Sequence, residues 1–379
     1  MSAGEPSGDR LGADLLSALR ARGIAVDAAG IGGPRLRAAG LRAAVPMESI
    51  AVMGFASILG KLPEIHRARR AVRRLLAERP DAVFLPIDSP GLHLGLAHAA
   101  RKMGRRVVYY VCPQIWAWGG GRIRRLREDV DLTLLLFSFE EELLAREGVA
   151  ARWVGHPAGA LSPDPGGRAA AKGALGVGPE ERLIALLPGS RREEVRRHLA
   201  PMLDGAARVV AHIGGRARVA VSDAGPVSDA MQDPAIRRAW EILAPLAWRG
   251  DTKDLLRAAD AAVVASGTAT LETAALGVPQ VIVYKTGFLN YEIARRLVRV
   301  PSIGLANLVS GSRGAPELIQ GEVNAARIAA ELAKLLTDEG AREAQLRAFA
   351  SIPERLGGPG SAERAAQALV DFVARGPSA

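Results

Sequence analysis

At 379 residues the chain exceeds the roughly 250–300 residues at which a single hydrophobic core stops growing, so two domains are expected. Its 49% hydrophobic and 24% charged residues are an ordinary globular balance. With no run of about 18 apolar residues and no basic-then-apolar leader, they argue for a cytoplasmic protein, soluble or peripheral to a membrane. The net charge of +10 admits nucleic acid, an anionic membrane surface or phosphorylated substrates, yet much of it is arginine in an Ala- and Gly-rich chain, a bias that a high-GC genome produces by itself.

In chain order, "AGEPSGDRLG" (3–12) is a polar loop opening a helix over Leu11–Arg22, and "VDAAGIGG" (26–33) reads as a strand entering a glycine turn. Residues 49–79 read as a long helical segment. "DAVFLPIDSP" (81–90) is a buried strand ending in Ser89-Pro90, an N-cap and N1 pair. "RRVVYYVCPQ" (105–114), "DLTLLLFS" (131–138) and "ARWVGHP" (151–157) complete a first series of strands. The Gly-, Pro- and Ala-rich stretch 158–180 marks a boundary. Strands resume at "RLIALLPGS" (182–190), "RARVAVSDAG" (216–225), "DAAVVASGT" (260–268) and "PQVIVYK" (279–285). The chain is helical after 323 and closes with a helix at roughly 361–374. Strands alternating with helices predict an α/β protein built on parallel sheets.

Ligands of such sheets bind beyond the carboxyl ends of the strands. "LLPGSR" is such a loop: Gly189 lets the backbone approach a ligand, Ser190 can cap the helix, the helix N–H groups favour a phosphate, and Arg191 adds a bidentate fork. By itself it is equally an ordinary capped turn. "ASGTATLE" supplies a second loop of the same kind, Ser266, Gly267 and Thr268, with Glu272 one helical turn inside and suited to ribose hydroxyls. Two phosphate-type loops and one such carboxylate favour a nucleotide diphosphate. The chain has no G-x-x-x-x-G-K-[ST] loop and no G-x-G-x-x-G after a strand, which argues against P-loop hydrolysis and dehydrogenase chemistry.

Asp88 ends a buried apolar strand, where a carboxylate can have the raised pKa a general base requires; the alternative is a structural Asp bonded to nearby N–H groups. Asp9 reads equally as a helix cap. Trp116 and Trp118 can bind sugar or acyl surface, although packing is the commoner use of tryptophan. Segment 49–74 joins an apolar front, Val52–Leu62, to a basic back of His66, Arg67, Arg69, Arg70, Arg73 and Arg74; it suits an anionic lipid surface or a solvated helix face. One cysteine, Cys112, and six histidines without ligand spacing give no metal site, and no cofactor is expected. No aromatic-plus-basic motif supports nucleic acid as a partner.

Together "AGEPSGD", "AVMG", "IDSP", "YVCPQIWAW", "GHP", "LLPGSR", "ASGTATLE", "NLVSG", "PELIQ" and "LGGPGSAERAA" fall in the order of a known family. From Ser2 to about Phe372 the chain resembles lipid-A-disaccharide synthase, an inverting glycosyltransferase family with two facing Rossmann-like domains, the GT-B fold. The resemblance implies transfer from UDP-2,3-diacylglucosamine to 2,3-diacylglucosamine 1-phosphate. The products are a β-1′,6-linked disaccharide 1-phosphate and UDP, formed without metal at the cytoplasmic face of the inner membrane of Gram-negative bacteria, and a homodimer is left open. It implies an acceptor domain at 1–158, a UDP-sugar domain at 159–349, and a terminal segment 350–379 packing back on the first domain. By match, Asp88 is the base for the attacking hydroxyl, and Glu5, Ser7, Asp9 and Trp116 lie at the acceptor cleft. Gly189, Ser190, Arg191, Ser266, Gly267 and Thr268 meet the diphosphate, Glu272 the ribose, and Asn307 the nucleotide.

The chain departs from the family pattern in two notable places. Met1 stands almost directly before "AGEPSGD", where the family has an apolar strand, so the first strand is expected to be missing; an inactive relative is then one alternative and a UDP-sugar 2-epimerase-like enzyme another. Ala306 replaces a Pro before Asn307, which is expected to loosen that loop.

Overall fold

The computed structural model describes residues 1–50, 62–113, 121–223, 225–287, 291–292 and 302–376. Two compact units divide the chain. Residues 1–157 and 356–379 form the first, and residues 158–296 and 300–355 the second.

Unit 1 holds a 7-stranded sheet: β1 (Ser2–Ala3), β2 (Ala29–Gly32), β3 (Arg42–Pro46), β4 (Pro86–Ile87), β5 (Val108–Tyr110), β6 (Leu132–Leu135) and β7 (Ala151–Trp153), in the order β3-β2-β1-β4-β5-β6-β7. The strand expected to be missing is present as two residues in the middle of that order. Ser2 pairs with Ile31 on one side and Pro86 on the other, all parallel. The helices Pro6–Ala21 and Pro90–Lys102 follow β1 and β4. The terminal helix Ser361–Ala374 belongs to this unit, where Arg152 holds Asp371 at 2.6 Å.

Unit 2 holds a 6-stranded sheet: β8 (Arg182–Leu187), β9 (Ala217–Ser222), β10 (Leu246–Trp248), β11 (Ala261–Ala265), β12 (Gln280–Tyr284) and β13 (Glu317–Ile319), in the order β10-β9-β8-β11-β12-β13. Side chains alternate along a strand. On β8, Ile184 and Leu186 enter one core cluster while Leu183, Ala185 and Leu187 enter another, and β11 divides in the same way. Both faces are therefore covered, which is why these strands read as unbroken apolar runs. β3, β10 and β13 lie at sheet edges and carry no such run. β3 is largely exposed, and no strand is legible there from the sequence.

In each unit the strand order reverses direction between the first and fourth strands: β1 and β4 in unit 1, β8 and β11 in unit 2. That is the doubly wound Rossmann order, and the reversal opens a crevice at the carboxyl ends of those two strands. An apolar cavity of about 510 Å³ in unit 1, lined by Leu15, Leu19, Val26, Leu76 and Val373, lies beside Met1 at the opposite ends of the strands.

The helical segment expected at 49–79 is described as a short 3-10 turn, Met47–Ser49, and a helix, Leu62–Glu78; its apolar front lies outside the described residues. Ala68, Val72 and Leu76 form a buried stripe at i, i+4 and i+8, and Arg67, Arg70, Arg73 and Arg74 are exposed.

Candidate active site

The unit 2 crevice is formed by the two phosphate-type loops. Register places them side by side: Leu187 of β8 pairs with Val264 of β11, so Gly189 falls level with Ser266. Gly189 has φ +115, and a Cβ there would stand 2.6 Å from Glu194 Oε2, so only glycine makes this turn. Ser190 does not cap the helix Arg192–His212. Arg191 holds the N-cap position, and no side chain caps the helix. The helix Thr268–Ala275 is also uncapped, after Gly267 at φ +154. Both helices thus present first-turn N–H groups and the positive end of the helix dipole at the strand ends. Ser190, Arg191 and Thr268 are exposed, and Arg191 Nη1 lies 3.2 Å from Glu194 Oε1. Glu193 and Glu194 in the first turn oppose an anion, and four arginines at 191, 192, 196 and 197 outweigh them.

Three residues that sequence reasoning passed over hold this crevice. His198 is fully buried. Its Nδ1 lies 2.9 Å from the Pro188 carbonyl, and its Nε2 accepts the Lys285 N–H at 2.8 Å. A carbonyl only accepts and an amide N–H only donates, so the ring is the neutral Nδ1–H tautomer; burial, the largest influence, lowers its pKa. It pins the loop after β8 to the end of β12. Glu317 accepts N–H bonds from Ile303 and Gly304, both at 3.0 Å, while Ser266 Oγ donates to the Ile303 carbonyl at 2.8 Å. Gln320, at φ +52, clasps Thr286 through its N–H at 2.7 Å and its carbonyl at 3.2 Å. Glu317 and Gln320 sit in the "PELIQ" motif, the one signal that pointed to them.

Asn307 joins the same network, but from inside. It is 2% exposed; Nδ2 donates to the Ala315 carbonyl and to Glu317 Oε1, and Oδ1 accepts the Ala315 N–H. Its side chain supports the loop rather than facing a nucleotide. Ala306 does not loosen that loop: its N–H lies 3.3 Å from Thr270 Oγ1, a bond that proline cannot donate. Glu272 is partly buried one turn into its helix.

The unit 1 crevice is acidic and strained. Ala3 pairs with Ile87, so the Gly4 loop meets the end of β4. A Cβ on Gly4 would lie 2.6 Å from Ser89 Oγ. Asp88 and Ser89 are both left-handed, at φ +50 and +48, and Val111 at the end of neighbouring β5 is at +75. Such conformations cost about 1–3 kcal/mol each in non-glycine residues and gather at functional sites. Ser89 is the N-cap residue, as the sequence suggests, but its side chain caps nothing, and its buried hydroxyl has no hydrogen-bond partner among the described residues.

Asp88 is half-buried. Its N–H donates to the Tyr110 carbonyl at 2.9 Å, and its own carbonyl takes His93 Nδ1 at 2.7 Å and Tyr109 Oη at 2.8 Å. His93 is fully buried, and burial lowers its pKa to about 4, so its Nε2, 2.8 Å from Ser2 Oγ, accepts the serine hydroxyl. Burial and then the Asp88 charge push the Tyr109 phenol well above its ordinary value.

Asp9 is 2% exposed and accepts three backbone N–H bonds, from Gly33, Arg35 and Leu36, at 2.7–3.1 Å. It caps the short helix Pro34–Ala38 and does not line an open crevice. Glu5 is the uncapped N-cap residue of Pro6–Ala21, and Ser7 is exposed in its first turn. Trp116 and Trp118 lie outside the described residues.

Solved structures share this fold across nearly the whole chain. A putative UDP-N-acetylglucosamine 2-epimerase from Listeria monocytogenes aligns over 100% of this chain and 96% of its own, with TM-score 0.64 and 14% identity. Anabaena HepE in complex with UDP-glucose aligns over 98% of each chain, with TM-score 0.57 and 13% identity. CalG4, the calicheamicin glycosyltransferase, covers 99% of this chain and 97% of its own, with TM-score 0.56 and 17% identity. At these identities the likeness concerns the fold alone, and the fold is that of the GT-B glycosyltransferases. Sequence relatives are nearer. The lipid-A-disaccharide synthase of Anaeromyxobacter dehalogenans is 41% identical over 372 residues, 98% of this chain and 96% of that protein. That of Pseudomonas aeruginosa is 40% identical over 377 residues, 98% of this chain and 97% of that protein. The family profile described as Lipid-A-disaccharide synthetase matches residues 1–369, and the chain belongs to this family of glycosyltransferases.

Proposed function

We propose that the chain joins UDP-2,3-diacylglucosamine to the 6-hydroxyl of 2,3-diacylglucosamine 1-phosphate. The observation that supports this most directly is the pair of uncapped helix N-termini standing level at the unit 2 reversal point, with Arg191 beside them. An anionic diphosphate is the ligand such a pair accepts. Gly189, Ser190, Arg191, Ser266, Gly267 and Thr268 hold the diphosphate, and Glu272 takes the ribose. Asn307 acts through Glu317 on the Ile303–Gly304 loop, which Ser266 bonds to.

The acceptor belongs to unit 1, with Glu5 and Ser7 toward the sugar and Asp9 fixing the loop, and Trp116 is assigned to the acceptor by its motif alone. In the transfer the acceptor oxygen attacks the anomeric carbon, that carbon's bond to UDP breaks, and the hydroxyl proton passes to the Asp88 carboxylate. UDP leaves with its charge met by Arg191 and the helix N–H groups, the form of transition-state stabilisation that contributes most in charge-developing reactions. The helix Leu62–Glu78 presents its exposed arginines to the anionic inner face of the cytoplasmic membrane, where both lipid substrates reside. No helix among the described residues is long and apolar enough to cross a membrane.

The test is incubation with both acylated sugars, with mass-spectrometric detection of the disaccharide 1-phosphate and equimolar UDP. Conversion of a UDP-sugar alone into its 2-epimer, with no disaccharide, would replace this reading with the epimerase one.

A further inference from the structure

The unit 1 crevice contains a hydrogen-bond relay that the reaction itself does not use. It runs from Ser2 Oγ to His93 Nε2 at 2.8 Å, and from His93 Nδ1 to the backbone carbonyl of Asp88 at 2.7 Å; Tyr109 Oη meets the same carbonyl at 2.8 Å. Both donors are buried, His93 at 0% exposure and Tyr109 at 0%. Two side chains from different elements converge on one peptide oxygen, and that peptide joins two left-handed residues.

Left to itself the strand end would relax. Asp tolerates the left-handed region better than most residues, but Ser89 follows it there with an orphaned hydroxyl. Relaxing Asp88 toward an extended conformation would turn its carbonyl away from both donors. His93 and Tyr109 would then be left as buried unsatisfied groups, which is costly for each. The bonds therefore fix φ and ψ at residue 88, and with them the direction in which its Cβ and carboxylate leave the backbone. The Asp88 N–H, bonded to Tyr110, fixes the other side of the residue.

We infer that His93 and Tyr109 are positioning residues for the Asp88 carboxylate: they hold its backbone in the left-handed conformation that aims it at the acceptor hydroxyl. This rests on the reading of Asp88 as the base. Neither residue touches substrate. His93 serves as a donor through Nδ1, and its Nε2 contact with Ser2 keeps the ring in the required tautomer.

The experiment compares kcat and both KM values for His93→Leu, His93→Asn, Tyr109→Phe and Asp88→Asn, with UDP affinity by calorimetry as the check that each variant is folded. Asparagine places an N–H close to the position of Nδ1 and has no counterpart of Nε2. His93→Leu should lower kcat about 10- to 100-fold, the scale of a misplacement of about 1 Å. Tyr109→Phe, which removes a single oxygen, should lower it less. His93→Asn should recover most of the loss, and KM for the UDP-sugar should stay within about twofold throughout. In the Asp88→Asn background the His93→Leu factor should shrink toward one, because there is no carboxylate left to aim.

Equal losses in His93→Leu and His93→Asn, or the same factor with and without the Asp88 carboxylate, would overturn the inference and leave His93 a packing residue. If Asp88→Asn itself turns over within a few-fold of the parent, the base assignment falls instead. A kcat loss in His93→Leu that His93→Asn rescues would then belong to the loop and not to the carboxylate.

Discussion

The two units share one strand order and one placement of their crevices, and they fill them with opposite chemistry. At the unit 2 reversal point two helix N-termini are uncapped and Arg191 stands at the strand end. At the unit 1 reversal point the strand ends carry Glu5 and Asp88, and the backbone there is left-handed at three non-glycine residues. Each crevice is nevertheless held by the same device, a fully buried neutral histidine with both ring nitrogens engaged. His198 links a loop carbonyl to the N–H just beyond a strand, and His93 links a hydroxyl to a loop carbonyl. The Rossmann order supplies the position of a site, and the loop residues decide whether it receives a phosphate or directs a carboxylate.

The sharpest way to separate the two crevices is to disable one and measure the other. Asp88→Asn preserves shape and removes basicity, so kcat should fall about 10²–10⁴-fold, the usual range for a lost general base. UDP binding by calorimetry should be unchanged, since the proposed UDP site lies in unit 2. Turnover within a few-fold of the parent would make Asp88 structural and move the search for a base to Glu5, because Asp9 is committed to three N–H groups.

Acid should strain the shared device. Burial holds His93 at about 4, against an ordinary value of 6.5, and lowers His198 as well. Between those values the unfolded chain binds protons that the native chain does not, so stability rises with pH across that window. The contribution is complete above about pH 6.5 and is lost as pH falls toward 4, of order 3 kcal/mol for each fully shifted histidine. Urea unfolding at pH 7 and pH 4.5 should show the loss, and His93→Asn should reduce it. A flat profile between those two pH values would remove the histidines as acid-labile clamps.

Arg191→Ala addresses the other crevice. It should weaken UDP binding by about 1.5–3 kcal/mol, the scale of a bond to a charged group, while the acceptor KM stays put. Because Arg191 already lies against Glu194, the loss should fall toward the lower end; Glu194→Gln should in turn tighten UDP by removing that ion pair and a repulsive charge. Unchanged UDP affinity in folded Arg191→Ala protein would take this arginine out of the donor site.

The central strands β8, β11, β12, β5 and β6 were legible as apolar runs because helices cover both faces of a parallel sheet. The edge strands β3, β10 and β13 were not, since a short or solvated edge has no apolar period to read. Loop residues whose chemistry follows from their type at a strand end, Gly189, Arg191, Gly267 and Asp88, were visible. What stayed hidden was the layer behind them. His93, His198 and Glu317 act through contacts 85 or more residues away or across adjoining loops, as His198 does with Lys285, and no local spacing records such a contact. Asn307 is marked by the family match and Asp9 by its polar loop, but burial and full hydrogen bonding make them supports. A single sequence cannot tell a polar side chain facing a ligand from one satisfied by its own backbone.

The smallest expected effect per side chain concerns how each unit presents its arginines. Along the start of Arg192–His212 two of the three are paired, Arg192 with Asp229 at 2.9 Å and Arg197 with Glu193 at 3.1 Å, and Arg196 has no ion pair among the described residues. On Leu62–Glu78, Arg70, Arg73 and Arg74 are exposed and have no ion pair among the described residues. Unneutralised charge near an anionic bilayer is worth about 1 kcal/mol per arginine and is screened within about 10 Å at 0.1 M salt. Arg69 is excluded from the test because its Nη2 donates to the Gly91 carbonyl at 3.0 Å, and removing it would disturb the loop after Asp88. Arg70→Glu, Arg73→Glu and Arg74→Glu together should therefore release the protein from vesicles containing anionic lipid, more at low salt than at high, and leave UDP affinity unchanged. Neutral vesicles should bind parent and variant alike. Equal sedimentation of the two proteins with anionic vesicles at low salt would make this helix an ordinary solvated face, and the membrane contact would then have to come from elsewhere in the chain.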